Sequence, residues 1–114
     1  MSVLAPSQAI VDLGAYRANL AWIRSRTPQG VRLCPVVKAD AYGHGLEQVV
    51  PIMSQVGVKR MAVANLDEAL CLRSLRWQGS ILSFGPVLVT FDQGNALANA
   101  YEAVAADITC TIST

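Results

Sequence analysis

The sequence predicts an α/β fold with a parallel sheet. Short apolar segments begin near residues 33, 60, 80 and 108 and alternate with helical patterns, which is typical of parallel strands joined by right-handed crossovers. Hydrophobic residues make up 53% of the 114 residues and charged residues only 15%, which suits strands buried on both faces. The pattern fits a small doubly wound sheet or part of a barrel, since a complete (β/α)8 barrel takes about 250 residues.

Composition and charge exclude several classes of function. The net charge is +1 and the basic residues are scattered, so neither nucleic acid nor an anionic membrane is expected as a partner. The apolar runs are far too short to cross a membrane. Residues 1–9 contain no basic residue and no long apolar core, so no signal peptide is predicted and a cytoplasmic location is expected.

The cysteines do not form a recognisable framework. Cys34, Cys71 and Cys110 are odd in number and widely spaced, and we expect buried, reduced thiols. With a single histidine and no cysteine pair, no metal site is predicted.

The first helix is predicted from an apolar stripe. Leu13, Tyr16, Leu20 and Ile23 fall at helical spacing. Asp12 is expected near the N-cap, and residues 27–30, which contain proline and glycine, are expected to end the helix. The apolar run at residues 9–13 is compatible with a short strand.

Two prolines complicate the next elements. Residues 31–37 predict the first strand, but Pro35 cannot donate to a β ladder, so either only residues 36–38 are paired or Pro35 faces a gap. Residues 46–56 have a helical pattern that contains Pro51. Because a proline inside a helix costs about 3 kcal/mol, we expect Pro51 in the first turn of a shorter helix, after an irregular lead-in at residues 46–49.

The helix that follows the second predicted strand carries its own start signal. Asn65 with Glu68 resembles a capping box, with asparagine in place of serine or threonine. The cluster of Arg73, Arg76 and Trp77 is interpreted as a solvated helix end. The other predicted elements are strands at residues 60–64, 80–84 and 108–112, a helix at 93–105, and a loop or short extended piece at 87–91.

Residues 36–45, VVKADAYGHG, form the segment with the clearest chemical potential. Two β-branched residues lead to Lys38, a cation at the point where an apolar strand is about to end. Gly43 and Gly45 allow a tight turn or a close approach to a ligand. Lys38 is either solvated at the strand end or held in a pocket, and a pocket would lower its pKa and make its amine nucleophilic.

This segment resembles the pyridoxal-phosphate attachment motif of the alanine racemase family. The resemblance implies that Lys38 carries the cofactor as a Schiff base and that Tyr42 helps to hold the cofactor phosphate. Residues 60–73 and 81–85 are similar to the family's second βα unit and third strand, which implies that Phe84 lines the cofactor pocket. His44 is expected to have a structural hydrogen-bonding role. The resemblance covers most of residues 9–85.

The resemblance implies a partial (β/α)8 TIM-type barrel with about its first four strands. Residues 1–114 would then be the amino-terminal part of the barrel domain, without the remaining barrel and the carboxyl-terminal β domain. In the family, a second catalytic tyrosine from across a dimer interface and an arginine facing the pyridine nitrogen come from later sequence. The full-length enzyme is therefore expected to be a homodimer, and this chain alone is expected to be inactive.

The implied function is pyridoxal-phosphate-dependent racemisation of L- and D-alanine, which supplies D-alanine for peptidoglycan. Lys38 would be the catalytic residue that moves the α-hydrogen on one face of the substrate. Two alternatives remain open at this point. One is a serine or broad-specificity amino-acid racemase on the same fold, and the other is a catalytically inactive half-barrel that only binds the cofactor.

Overall fold

The chain folds as alternating helices and parallel strands. The computed structural model describes residues 7–86 and 93–112, with the side chains of the second stretch described from residue 98. In chain order, the elements are α1 (Leu13–Arg26), α2 (Lys38–Tyr42), α3 (Leu46–Val56), β1 (Arg60–Val63), α4 (Leu66–Ser74), β2 (Ser80–Pro86), α5 (Gln93–Ala105) and β3 (Ile108–Thr111).

The described strands form one three-stranded sheet in the order β1-β2-β3, and both pairings are parallel. The α/β fold and the parallel order of these strands are therefore confirmed. The predicted strands at residues 60–64, 80–84 and 108–112 match β1, β2 and β3, and the helix predicted at 93–105 matches α5. The ambiguous residues 87–91 lie outside the described residues.

The first predicted strand is wrong over most of its length. Residues 31–37 contribute a single parallel bridge, in which Val36 pairs with Ala62 of β1. The Val37 N–H donates to the Ala62 carbonyl at 2.8 Å, and the Pro35 carbonyl accepts from the Ala62 N–H at 2.9 Å. Pro35 has no N–H of its own, and the chain leaves the sheet at Lys38, so the ladder cannot extend in either direction.

The hydrophobic core lies between the sheet and the helices. Side chains alternate along β2, where Ile81 and Ser83 are fully buried while Leu82 is half-buried and Phe84 is 45% exposed. Helix α4 packs against β1 and β2, α5 packs against β3, and α1 packs against α3. One face of the sheet is therefore covered by helices, and Phe84 belongs to the other face.

Helix α1 begins at the predicted N-cap, but its predicted apolar stripe is only partly buried. The Oδ1 of Asp12 accepts a hydrogen bond from the Ala15 N–H at 2.9 Å, which confirms Asp12 as the N-cap. Leu20 is buried, whereas Ile23 is 47% exposed. The strand considered at residues 9–13 is absent, since α1 already starts at Leu13.

The expectation for Pro51 is wrong, because α3 is continuous from Leu46 to Val56 with Pro51 inside it. The Glu47 carbonyl lacks its usual helical donor because Pro51 has no N–H, and both residues are exposed to water. The neighbouring residues Val49, Val50, Ile52 and Met53 are all buried. Burial of apolar side chains, each worth about 1.5–3 kcal/mol, outweighs the cost of the proline.

The interpretation of the Arg73 cluster as a solvated helix end is also wrong. The Arg73 guanidinium donates to the carbonyls of four residues: Trp77, Gly79, Ala106 and Asp107. The donor–acceptor distances lie between 2.7 and 2.9 Å. Trp77 is 4% exposed, and only Arg76 is exposed as expected. Arg73 therefore ties the end of α4 to the segments that lead into β2 and β3.

The cysteines are free, but they are not all buried as predicted. Cys34 and Cys71 are exposed and Cys110 is half-buried. Among the described residues, no helix is long and apolar enough to cross a bilayer.

Replacing Arg73 tests its structural role. Arg73→Lys keeps the charge but loses the planar fork that reaches several carbonyls, so we expect the free energy of unfolding to fall by about 2–3 kcal/mol. Arg76→Lys is the matched control on an exposed arginine, and its effect should stay within about 0.5 kcal/mol. Urea denaturation measures both. Equal effects of the two variants would contradict the structural role of Arg73.

Candidate functional site

The register of the sheet brings the predicted site residues to one edge. Val36 pairs with Ala62, and Ala62 pairs with Leu82. Lys38 and Phe84 each lie two residues beyond a member of this row, at the carboxyl-terminal ends of parallel elements. Parallel βα proteins bind ligands and place catalytic residues at that edge.

The segment that follows Lys38 adopts a left-handed turn. Ala39, Asp40, Ala41 and Tyr42 have φ angles between 52° and 57°. For residues with a Cβ, this conformation costs about 1–2 kcal/mol each. A run of such residues persists only when the surrounding structure stabilises it, and conformations of this kind are concentrated at functional sites.

Hydrogen bonds within the segment supply part of that stabilisation. The Gly43 N–H donates to the Ala39 carbonyl at 3.1 Å. The Oδ1 of Asp40 accepts from the Leu46 N–H at 2.7 Å and so satisfies a free amide at the start of α3. The Nδ1 of His44 donates to the Ala41 carbonyl at 2.8 Å, which confirms the structural role expected for His44. Ala41 itself is buried.

Glu68 connects this turn to the neighbouring strand. Its Oε2 accepts from the Ala39 N–H and its Oε1 accepts from the Ala64 N–H, both at 2.8 Å. The capping-box prediction is confirmed for one of its two bonds, since the Asn65 Oδ1 accepts from the Glu68 N–H at 2.9 Å. The return bond from the Glu68 side chain goes to Ala64, one residue before the N-cap, and its second oxygen binds the Lys38 turn.

Glu68 and Asp40 were not predicted as site residues. The sequence does contain a signal for both, because Asp40 follows the Val36 bridge by four residues and Glu68 lies in the first turn of α4. The bond from Glu68 to the Ala39 amide joins residues 29 positions apart, however, and no local pattern predicts it.

The three predicted site residues remain accessible. Lys38 is exposed, Tyr42 is 60% exposed and Phe84 is 45% exposed. The Nζ of Lys38 lies 6.0 Å from the centroid of the Tyr42 ring, within the range of a cation–π contact. The structure thus brings an amine and a phenol together on one turn and places Phe84 at the same edge of the sheet.

One cleft borders this arrangement, and a second lies away from it. One of about 400 Å³ lies beside the turn and includes Tyr42, His44, Asp12 and Tyr16 in its lining. Tyr16 packs against the His44 ring, with centroids 5.5 Å apart, and burial raises the pKa of its hydroxyl. A second cleft of about 500 Å³ lies at the opposite edge of the sheet, between the end of α1 and the start of β1, and is therefore not assigned to the Lys38 site.

These features define the class of the protein. It is a parallel βα protein that presents an accessible lysine amine, on a left-handed turn, at the carboxyl-terminal edge of its sheet.

The particular family follows from sequence comparison. Residues 11–114 match the family model described as alanine racemase, N-terminal domain. The match includes nearly the whole chain, so the chain belongs to this family.

Individual proteins show the same likeness. An alanine racemase of Geobacillus kaustophilus is 45% identical over 75 residues, which are 66% of this chain and 20% of that protein. The crystal structure of alanine racemase from E. faecalis superposes with a TM-score of 0.75 at 33% identity, covering 91% of this chain and 26% of that one. A histidine racemase from Leuconostoc mesenteroides subsp. sake gives a TM-score of 0.71 at 32% identity, covering 89% of this chain and 25% of that one. The chain spans about a fifth of the length of the curated relatives it matches.

Glycine substitution tests the left-handed turn. Ala39→Gly replaces an exposed alanine with φ near 52° by the residue that adopts this region without cost, so we expect unchanged or higher stability, by up to about 1 kcal/mol. The control Ala18→Gly changes an exposed alanine within the right-handed helix α1 and should destabilise by about 1 kcal/mol. Chemical denaturation compares the two variants, and similar losses would contradict a left-handed turn at Ala39.

Proposed function

We propose that this chain belongs to a pyridoxal-phosphate-dependent amino-acid racemase that acts on alanine. The observation that carries the proposal is the position of Lys38. Its amine is exposed at the carboxyl-terminal edge of the parallel strands, within a family of alanine racemase N-terminal domains. The corresponding fold proposal is a partial (β/α)8 barrel with about its first four strands.

The residues at this edge fit pyridoxal phosphate. The Lys38 amine would bind the cofactor aldehyde covalently, and the Tyr42 hydroxyl would donate to the phosphate. Phe84 would supply an apolar wall for the ring. When bound, the cofactor delocalises the negative charge that develops on the substrate's α-carbon.

Lys38 would then act as the acid–base group on one face of the substrate. With the cofactor and substrate bound, the free Nζ of Lys38 would remove or return the proton at the substrate's α-carbon. Inversion of the centre requires a second acid–base group on the opposite face. By the family resemblance, we assign that role to a tyrosine from the partner subunit of a homodimer.

The cellular role follows from the proposed reaction. A racemase that interconverts L- and D-alanine would supply D-alanine for peptidoglycan, and we place this reaction in the cytoplasm. The bacterial relatives named alanine racemase support alanine as the substrate of this reaction.

A broader substrate range is a second candidate function. It is favoured by the likeness to a histidine racemase, whose 32% identity to this chain is close to the 33% identity of the E. faecalis alanine racemase. Parallel racemisation assays of L-alanine, L-serine and L-histidine with the complete enzyme separate the two candidates. Activity on alanine alone would exclude the broader range.

Replacing Lys38 tests the proposed cofactor attachment. In the complete enzyme, pyridoxal phosphate followed by borohydride should label Lys38 of the wild type, as detected by peptide mapping. Lys38→Ala removes the amine, and Lys38→Arg replaces it with a guanidinium that stays protonated, so neither variant should be labelled or racemise alanine. Lys59→Ala, at an exposed lysine before β1, is the control that should keep both properties. Normal racemisation by Lys38→Ala would contradict the assignment.

The 114-residue chain expressed alone should not racemise alanine. Lys38 serves only one face of the substrate, and proton transfer from one face cannot invert the centre efficiently. β3 is also an end strand of the described sheet, and Ile112 beyond it is 83% exposed, so we expect edge-to-edge association or aggregation. Sedimentation and a D/L-alanine assay measure both properties. A monomer that racemises alanine would contradict this prediction.

A further inference from the structure

Among the carboxylates of the described residues, Glu68 is the one that links the Lys38 turn to a neighbouring strand end. We infer that Glu68 is a positioning residue that sets the direction of the Lys38 side chain through the Ala39 amide. The inference deepens the proposed function and rests on it only where cofactor attachment to Lys38 is concerned.

The argument begins with the peptide group between Lys38 and Ala39. The Ala39 N–H donates to the Glu68 Oε2 at 2.8 Å, so the acceptor fixes the orientation of the peptide plane directly after Lys38. Ala39 is also the first residue of the turn with a positive φ angle, at 52°. Without an acceptor at this amide, the first strained residue could return to a lower-energy region, and the Cα–Cβ bond of Lys38 would turn with it.

The second hydrogen bond of Glu68 holds the carboxylate in place at the end of β1. Its Oε1 accepts from the Ala64 N–H at 2.8 Å, at the end of β1. The Ala64 carbonyl in turn accepts from the Gly85 N–H at 2.7 Å, so Ala64 is held by the next strand. A Cβ at Gly85 would lie 2.6 Å from this carbonyl, which shows how closely the two strand ends approach. The Glu68 side chain thus fixes the position of the Lys38 turn relative to the sheet.

A purely structural role in α4 is the competing explanation. Asn65 distinguishes the two, because its Oδ1 caps the same helix through the Glu68 N–H but it is not bonded to Ala39. Asp67 is an exposed carboxylate in the same first turn and controls for loss of charge near the helix N-terminus. Neither residue belongs to the proposed cofactor site.

The experiment compares Glu68→Gln with Asn65→Ala and Asp67→Asn in the complete chain. A carboxamide keeps one acceptor but directs a donor at the other amide, so the two bonds cannot both survive. The readouts are amide hydrogen exchange over residues 38–43 and the rate at which pyridoxal phosphate with borohydride labels Lys38. In Glu68→Gln we expect exchange to rise and labelling to slow by about tenfold or more, equivalent to about 1.4 kcal/mol. Asp67→Asn should stay within about twofold of the wild type in both readouts. Asn65→Ala loses the cap of α4 but keeps the Glu68 bond to the Ala39 amide, so its labelling rate should stay within about twofold.

The outcomes separate the inference from the proposed function. Wild-type exchange and labelling in Glu68→Gln, or an equal loss in Asn65→Ala, would overturn the positioning role. A wild type that is never labelled at Lys38 would overturn the proposed function, and the exchange comparison would then decide the role of Glu68 by itself.

Discussion

The left-handed turn at residues 39–42 is the constraint on which the candidate site depends. Residues with a Cβ occupy this region at a cost, and here they do so consecutively. The turn is held from both ends, by Glu68 at the Ala39 amide and by Asp40 at the start of α3. A strained conformation that is held by charged acceptors presents Lys38 in one direction, whereas a flexible loop would present it in many.

The first extended segment, although short, fixes where Lys38 lies relative to the sheet. Because Pro35 has no N–H, the segment pairs with β1 only through Val36 and the flanking groups. The bridge fixes Lys38 two residues past the row that aligns Val36, Ala62 and Leu82. The parallel register therefore determines which side chains can meet at this edge.

The Arg73 hydrogen bonds and the candidate site lie at opposite edges of the sheet. Arg73 binds four carbonyls at the edge where β2 and β3 begin, and it lies far along the chain from the motif around Lys38. Carboxylates play the corresponding role at the edge where the strands end, where backbone amides need acceptors. This division is typical of parallel βα proteins, in which the amino-terminal ends of the strands support the fold and the carboxyl-terminal ends carry the functional site.

Local sequence by itself determined the alternation of elements, the N-cap at Asp12, the bounds of α5 and the motif around Lys38, since each depends on residues close together in the chain. Tertiary structure decided the rest. Burial of its neighbours keeps Pro51 inside α3, and carbonyls from distant segments draw Arg73 inward. The Glu68 carboxylate binds the Ala64 amide beside its own helix start and also reaches the Ala39 amide, which lies 29 residues away in the chain. Such choices depend on which groups the fold brings together, and that information is absent from any short stretch of sequence.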